Sequence, residues 1–208
     1  MADRLDILVE QAGKKFGRDW IFKDFNYRFE SGKSYAILGH NGSGKSTLLM
    51  ALAGFYAISR GHIKWEQNGA KLEDDVWYKH YALSSPMLEL PEDFTIDEFL
   101  SLHFQLKPMK ADWSIARIYE ESGLDAAKNK ALKQLSSGMR QRVKLLAAMA
   151  ADVPVLFLDE PCTNLDDAGV DLYKRVIGEC QNQLVLVASN MKVEYDFCEV
   201  QIQMEGLR

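Results

Sequence analysis

The run Gly39-His40-Asn41-Gly42-Ser43-Gly44-Lys45-Ser46-Thr47 restricts this chain more than any other stretch. From Gly39 to Ser46 it fits the spacing G-x-x-x-x-G-K-[ST]. Gly42 and Gly44 can take backbone angles closed to other residues, so successive N–H groups can turn inward and ring an anion. Lys45 brings a compact positive charge, and the Ser46 hydroxyl can ligate a divalent cation. His40 contributes mainly backbone, and Asn41, Ser43 and Thr47 complete the loop. Residues 34–38 before it read as a buried strand, and the helix after it, 45–54, aims its positive end at the same place. Strand, loop and helix in that order predict a bound nucleoside triphosphate with Mg²⁺.

The chain has 208 residues, enough for one domain with a substantial core. Its net charge of 25 − 30 = −5 argues against a generally basic nucleic-acid binder, so no nucleic-acid partner is expected. Cys162, Cys180 and Cys198 are odd in number and widely spaced, which favours a reducing compartment over a disulfide framework. The apolar run 145–151 is far short of the roughly 20 residues that cross a bilayer. No membrane span is expected, and work at a membrane would require docking on a protein that has one.

Residues 5–10, 20–22 and 25–29 read as short strands, the last with aromatic and polar residues alternating. Residues 61–66 alternate in the same way, and 67–75 read as a polar loop. Thr95 and Glu98 form a helix-start signature, with Phe94 placed to staple onto Phe99. That helix runs to Pro108. Ile115, Ile118 and Tyr119 mark a second helix, and 138–151 a third. Residues 86–150 are therefore expected to be a helical insert. Around it, 1–85 and 151–208 form a strand-helix core, giving a single α/β domain over 1–208. Strand 153–158, helix 168–177 and strand 183–188 complete the reading. Three apolar strands run into Gly39, Asp159 and Asn190, and in open parallel sheets ligands sit beyond such strand ends.

Two further segments carry chemistry. Asp159-Glu160 closes an apolar strand, where the Asp can hold Mg²⁺ and the Glu can polarise an attacking water. Leu135-Ser136-Ser137-Gly138-Met139 opens a helix whose N-terminus, Ser136 hydroxyl and Gly138 amide can face an anion. A plain helix cap at Ser136 or Ser137 satisfies the same residues.

With Asn164-Leu165-Asp166, these segments in this order resemble the ATP-binding-cassette (ABC) ATPases over nearly the whole chain. The resemblance implies a phosphate-loop NTPase fold: a RecA-like parallel core, an N-terminal antiparallel β subdomain and an inserted helical subdomain. It implies Phe16 as the aromatic on adenine, Leu135 to Met139 as the signature, and Asp166 in the D-loop. It implies a head-to-tail homodimer or heterodimer sandwiching ATP and Mg²⁺, with a transmembrane permease subunit docked on the insert at the cytoplasmic face.

The sequence departs from the family pattern at two catalytic positions. Ser85 (or Ser84) stands where a glutamine is usual, and Asn190 stands where a histidine is usual. Asn can donate one hydrogen bond to a phosphate but carries no charge. Slow hydrolysis in the isolated chain is the expectation, with Glu160 and Lys45 retained. Three functions fit: an ATPase subunit of a membrane transporter, a soluble ABC ATPase for assembly or regulation, and a nucleotide sensor with vestigial hydrolysis.

Overall fold

The computed structural model describes residues 4–74, 76–180 and 182–207. Asp75, at the end of the expected loop, and positions 1–3, 181 and 208 of the expected domain lie outside the described residues. In chain order, β1 (Leu5–Phe16) and β2 (Asp19–Phe29) precede β3 (Ser34–Leu38) and α1 (Lys45–Leu52). Next come β4 (Arg60–Gln67), β5 (Ala70–Lys71) and β6 (Tyr81–Ser84). Helices α2 (Ile96–Leu106), α3 (Ile115–Ser122) and α4 (Ser137–Met149) follow. Then β7 (Val155–Asp159), α5 (Asp167–Ile177), β8 (Leu184–Ala188), α6 (Lys192–Tyr195) and β9 (Val200–Gln203) close the fold.

The strands make two sheets. One is antiparallel, in the order β2-β1-β4-β5; the other is parallel, in the order β6-β7-β8-β3-β9. All five residues of β7 and of β8 are buried, as strands covered on both faces must be. Their side chains alternate between two cores. Leu156, Leu158, Val185 and Val187 pack with α2 to α5 on one face. Val155, Phe157, Leu184 and Leu186 pack with α1 and the antiparallel sheet on the other.

Several boundaries differ from the sequence expectation, for local reasons. The strand read as 5–10 continues to Phe16 through a bulge at Gln11, whose φ of 47° breaks the alternation. Asp24, with φ of 53°, likewise joins 20–22 to 25–29 in one strand. Gly61 (φ of 77°) crosses the bulge in β4, where a Cβ would collide with the Gln11 carbonyl. Within the segment expected as a loop, residues 67–71 form a hairpin: Asn68-Gly69, both at positive φ, returns the chain into β5. Strand β9 was not anticipated; at four residues and on the sheet edge it buries chiefly Ile202. The third helix spans Ser137–Met149 with Ser136 as its cap, and Ala151 instead pairs with Met109. Around α2 the Thr95–Glu98 capping box is formed in both directions.

Asp6 braces the hairpin that launches β3. It is buried, and accepts from the Ser31 amide (2.9 Å), Arg28 Nη2 (2.7 Å) and Arg4 Nε (3.2 Å). Burial pushes its carboxyl up, but the Ser31 amide and the two guanidiniums outweigh that and hold it below its ordinary value. A depressed carboxyl stabilises the fold above its unfolded pKa, and that contribution fades as pH falls through the folded value. Asp6→Asn is therefore expected to cost about 1–3 kcal/mol at neutral pH. The gap from the parent should close well below about pH 3.9. Urea unfolding at both pH values checks this; a gap equally large in acid counts against Asp6 as the cause.

Candidate functional site

The carboxyl ends of β3, β7 and β8 lie side by side, and their outgoing loops meet. A cleft of about 200 Å³ opens there, lined by Asn41, Gly42, Gly44 to Thr47, Glu160 and Ile21. Gly44 caps α1 with φ of 104°, and a Cβ there would run into Ile21. Glycine is thus required twice over, by backbone conformation and by packing.

Lys45 is only 4% exposed. Its ammonium folds over the loop and donates to the carbonyls of Gly39 (2.9 Å) and His40 (3.2 Å). Ser43 Oγ is buried and has no hydrogen-bond partner among the described residues. An orphaned hydroxyl and a curled cationic side chain inside a ring of glycines fit an anion with several oxygens.

Asp159, at the end of β7, accepts from Ser46 Oγ at Oδ1 (2.7 Å) and from Ser85 Oγ at Oδ2 (2.9 Å). Burial raises its carboxyl above the usual range; the Ser46 and Ser85 hydroxyls pull the other way. The Asp159 carboxylate with the Ser46 hydroxyl is the hard oxygen donor pair that Mg²⁺ takes, and a cation there would favour the ionised form. Ser85, fully buried, is therefore the serine that faces Asp159, whereas the neighbouring Ser84 hydroxyl is buried and unpartnered.

Glu160 follows with φ of 42°, a left-handed conformation that costs a non-glycine residue on the order of 1–3 kcal/mol. Its amide is held by the Ala188 carbonyl (2.9 Å), and Oε2 accepts from Thr163 Oγ1 (3.3 Å). The strained turn is what aims the carboxylate into the cleft. Asn190 donates from Nδ2 to Asn41 Oδ1 (2.9 Å), which ties the loop after β8 to the glycine-rich loop.

Other expected residues lie elsewhere. Phe16 is 48% exposed and meets Tyr56 edge-on, centroids 5.8 Å apart, with Lys14 Nζ 4.7 Å from the Phe16 centroid. Ser136 sits exposed at the start of α4, its oxygen accepting from the Met139 amide (3.2 Å). Gly138 lies against Asn164, whose carbonyl oxygen a Cβ would approach to 2.8 Å. Asp166 caps α5 through the Gly169 amide (3.0 Å) and receives Arg142 (2.5 Å), which holds its carboxyl below the ordinary value. Neither Ser136 nor Gly138 lines the phosphate-loop cleft.

Sequence reasoning missed Ile21, Tyr56, Glu194 and Glu205. Glu205 Oε1 accepts from the His40 amide (3.0 Å) and so pins the loop from the far end of the chain. Glu194, buried, accepts from the Cys162 amide (2.7 Å) and from Ser189, joining the turns after β7 and β8. Tyr56 had a faint signal, an aromatic pair directly after the α1 segment; the two glutamates had none.

A parallel sheet with a glycine cradle between β3 and α1, and a carboxylate at the end of β7, the next strand but one, is a phosphate-loop NTPase fold. The family described as ABC transporter matches residues 22–163. ABC transporter I family member 1 of Arabidopsis thaliana is 32% identical over 91% of this chain and 84% of its own length. The sulfate/thiosulfate import ATP-binding protein CysA of Halalkalibacterium halodurans is 31% identical over 78% of the chain, which spans 47% of that protein. A solved ATP-binding subunit of an ABC transporter superposes with a TM-score of 0.80 at 22% identity, covering 95% of this chain and 85% of the other. The chain belongs to the ABC transporter ATP-binding family and is an ATPase of that class.

Proposed function

We propose that the chain binds and hydrolyses Mg-ATP as the ATPase subunit of a membrane transporter, peripheral on the cytoplasmic face and docked on a transmembrane permease subunit. The observation that carries this is the convergence on Asp159 of Ser46 and Ser85, beside the Lys45 cradle. Among the described residues no helix is long and apolar enough to cross a membrane, which accords with a separate membrane subunit.

Each residue has a task. Lys45 exchanges two loop carbonyls for the outer phosphates, while the amides of residues 42–47 ring them. Phe16, beside Tyr56, offers the adenine a face. Ser46 and Asp159 would hold Mg²⁺, which when bound neutralises charge on the phosphate oxygens. Glu160 orients the attacking water and takes its proton as the water oxygen bonds to the γ-phosphorus and the bond to the ADP oxygen breaks. Asn190 leaves Asn41 and donates to the γ-phosphate. Ser136 and Gly138 lie outside this cleft, so they act from a second subunit, homologous or identical, with Asp166 beside them at the interface.

Hydrolysis is slow because Ser85 is short and Asn190 uncharged. One positioned donor at a developing charge is commonly worth 10²–10³-fold. Asn190→His should raise steady-state turnover by about tenfold or more on that scale. An unchanged or lower rate would show that residue 190 does not limit hydrolysis. Titration with labelled ATP, with and without Mg²⁺, tests the binding itself; no Mg²⁺-dependent uptake overturns the reading.

A further inference from the structure

Lys144 lies on α4, half-buried, and its ammonium donates to the carbonyls of Ser85 (3.1 Å) and Leu88 (3.3 Å). Both carbonyls belong to the tight turn that leaves β6, closed by the Leu88 amide on Ser85 O (3.2 Å). The Ser85 hydroxyl is committed as well: it accepts from the Met87 amide (3.1 Å) and donates to Asp159 Oδ2 (2.9 Å). Ser85 therefore touches Asp159 through its side chain and Lys144 through its main chain.

The same helix has a second tie to this region. Gln141, buried, donates from Nε2 to the Pro161 carbonyl (2.9 Å), just beyond Asp159-Glu160. Ser136, the exposed cap of α4, stands eight residues from Lys144, about 12 Å along the helix axis. Burial, with Arg140 nearby, pushes the Lys144 ammonium down from its ordinary value. An apolar side chain of similar reach would fill the space without that cost. What a cation adds is direction: it grips two named oxygens, so a shift of the turn becomes a shift of the helix.

We propose that Lys144 is a positioning residue that couples Mg²⁺ occupancy at Asp159 to the orientation of α4 and its Ser136 end. The proposal rests on Asp159 as the carboxylate facing Mg²⁺. A cation at Asp159 would compete with the Ser85 hydroxyl for Oδ2, the one carboxylate oxygen that Ser85 bonds. When Ser85 yields, its carbonyl moves, and Lys144 carries that movement into α4. The link is reciprocal: the contact through which Mg²⁺ moves the helix is the contact through which the helix sets Mg²⁺ affinity. Where the resembling family has a long glutamine side chain, this chain has a short serine reaching Asp159 and a lysine reaching back from the other side.

Hydrogen–deuterium exchange of the full chain with ATP, in chelator or in Mg²⁺, tests this. In the parent, Mg²⁺ should slow exchange at residues 138–141 at least about fivefold. Lys144→Met should abolish that response and raise the Mg²⁺ concentration for half-maximal ATPase by about fivefold or more. Lys144→Arg, which restores a donor, should keep both near the parent. Should Lys144→Met fail to fold, Lys144→Gln, with one donor group, should show a reduced response. Absence of the response in the parent, its survival in Lys144→Met, or its loss in Lys144→Arg overturns the coupling. Labelled-ATP uptake in the same samples separates the two readings: uptake with no α4 response sinks only the coupling, and no Mg²⁺-dependent uptake sinks the Mg-ATP reading beneath it.

Discussion

Glu160→Gln should bind Mg-ATP within a few-fold of the parent and hydrolyse it about 10²–10⁴-fold more slowly, the usual worth of a positioned general base. The substitution keeps shape and hydrogen-bonding reach while removing the basic oxygen. The turn that holds residue 160 is fixed by its amide on Ala188 O (2.9 Å), a contact indifferent to the side chain. The left-handed φ of 42° costs a glutamine there about what it costs the glutamate. ATP should then persist in the site, and with it the two-subunit sandwich in which Ser136 and Gly138 meet nucleotide. Single-turnover kinetics and sedimentation velocity read the two consequences separately. Undiminished turnover removes Glu160 from the chemistry. A variant that stays monomeric with ATP at high protein concentration removes the sandwich for this chain.

Lys45→Ala should weaken ATP binding by about 10²-fold or more. Two charge-assisted hydrogen bonds, each about 1.5–3 kcal/mol, are lost. Among the described residues no other lysine or arginine lines the cleft, so none of them substitutes for the charge. The carbonyls of Gly39 and His40 lose their lysine donor at the same time, so a modest loss of stability should accompany the change. Circular dichroism confirms folding, and fluorescent-nucleotide titration reads the affinity. Parent-like affinity in folded Lys45→Ala would falsify the assignment of the glycine-rich loop as the phosphate site.

What was legible in the sequence was whatever depends on neighbours along the chain. The loop from Gly39 to Ser46 declares itself because its amides must all turn inward within a few residues. The buried strands β7 and β8 declare themselves because both faces must be apolar, and Thr95–Glu98 because a capping box lies within four consecutive residues. What was hidden depends on positive-φ residues other than glycine, or on distant segments. Gln11 and Asp24 carry bulges that side-chain alternation cannot show. The Asn68-Gly69 turn was readable and was passed over. Glu205 on His40, Glu194 on Cys162 and Lys144 on Ser85 join residues far apart in the chain, and no local pattern marks such pairs. The sequence favours Ser85 over Ser84, and the Ser85 hydroxyl is the one that lies on Asp159.

The position of β3 in its sheet has a consequence for how the molecule is made. That strand lies between β8 and β9, so a segment finished at Leu38 has no hydrogen-bonded neighbour until residue 184 has been added. While residues 39–183 are being added on the ribosome, β3 stays an unpaired apolar ribbon, the kind of surface that exposes a nascent chain to aggregation.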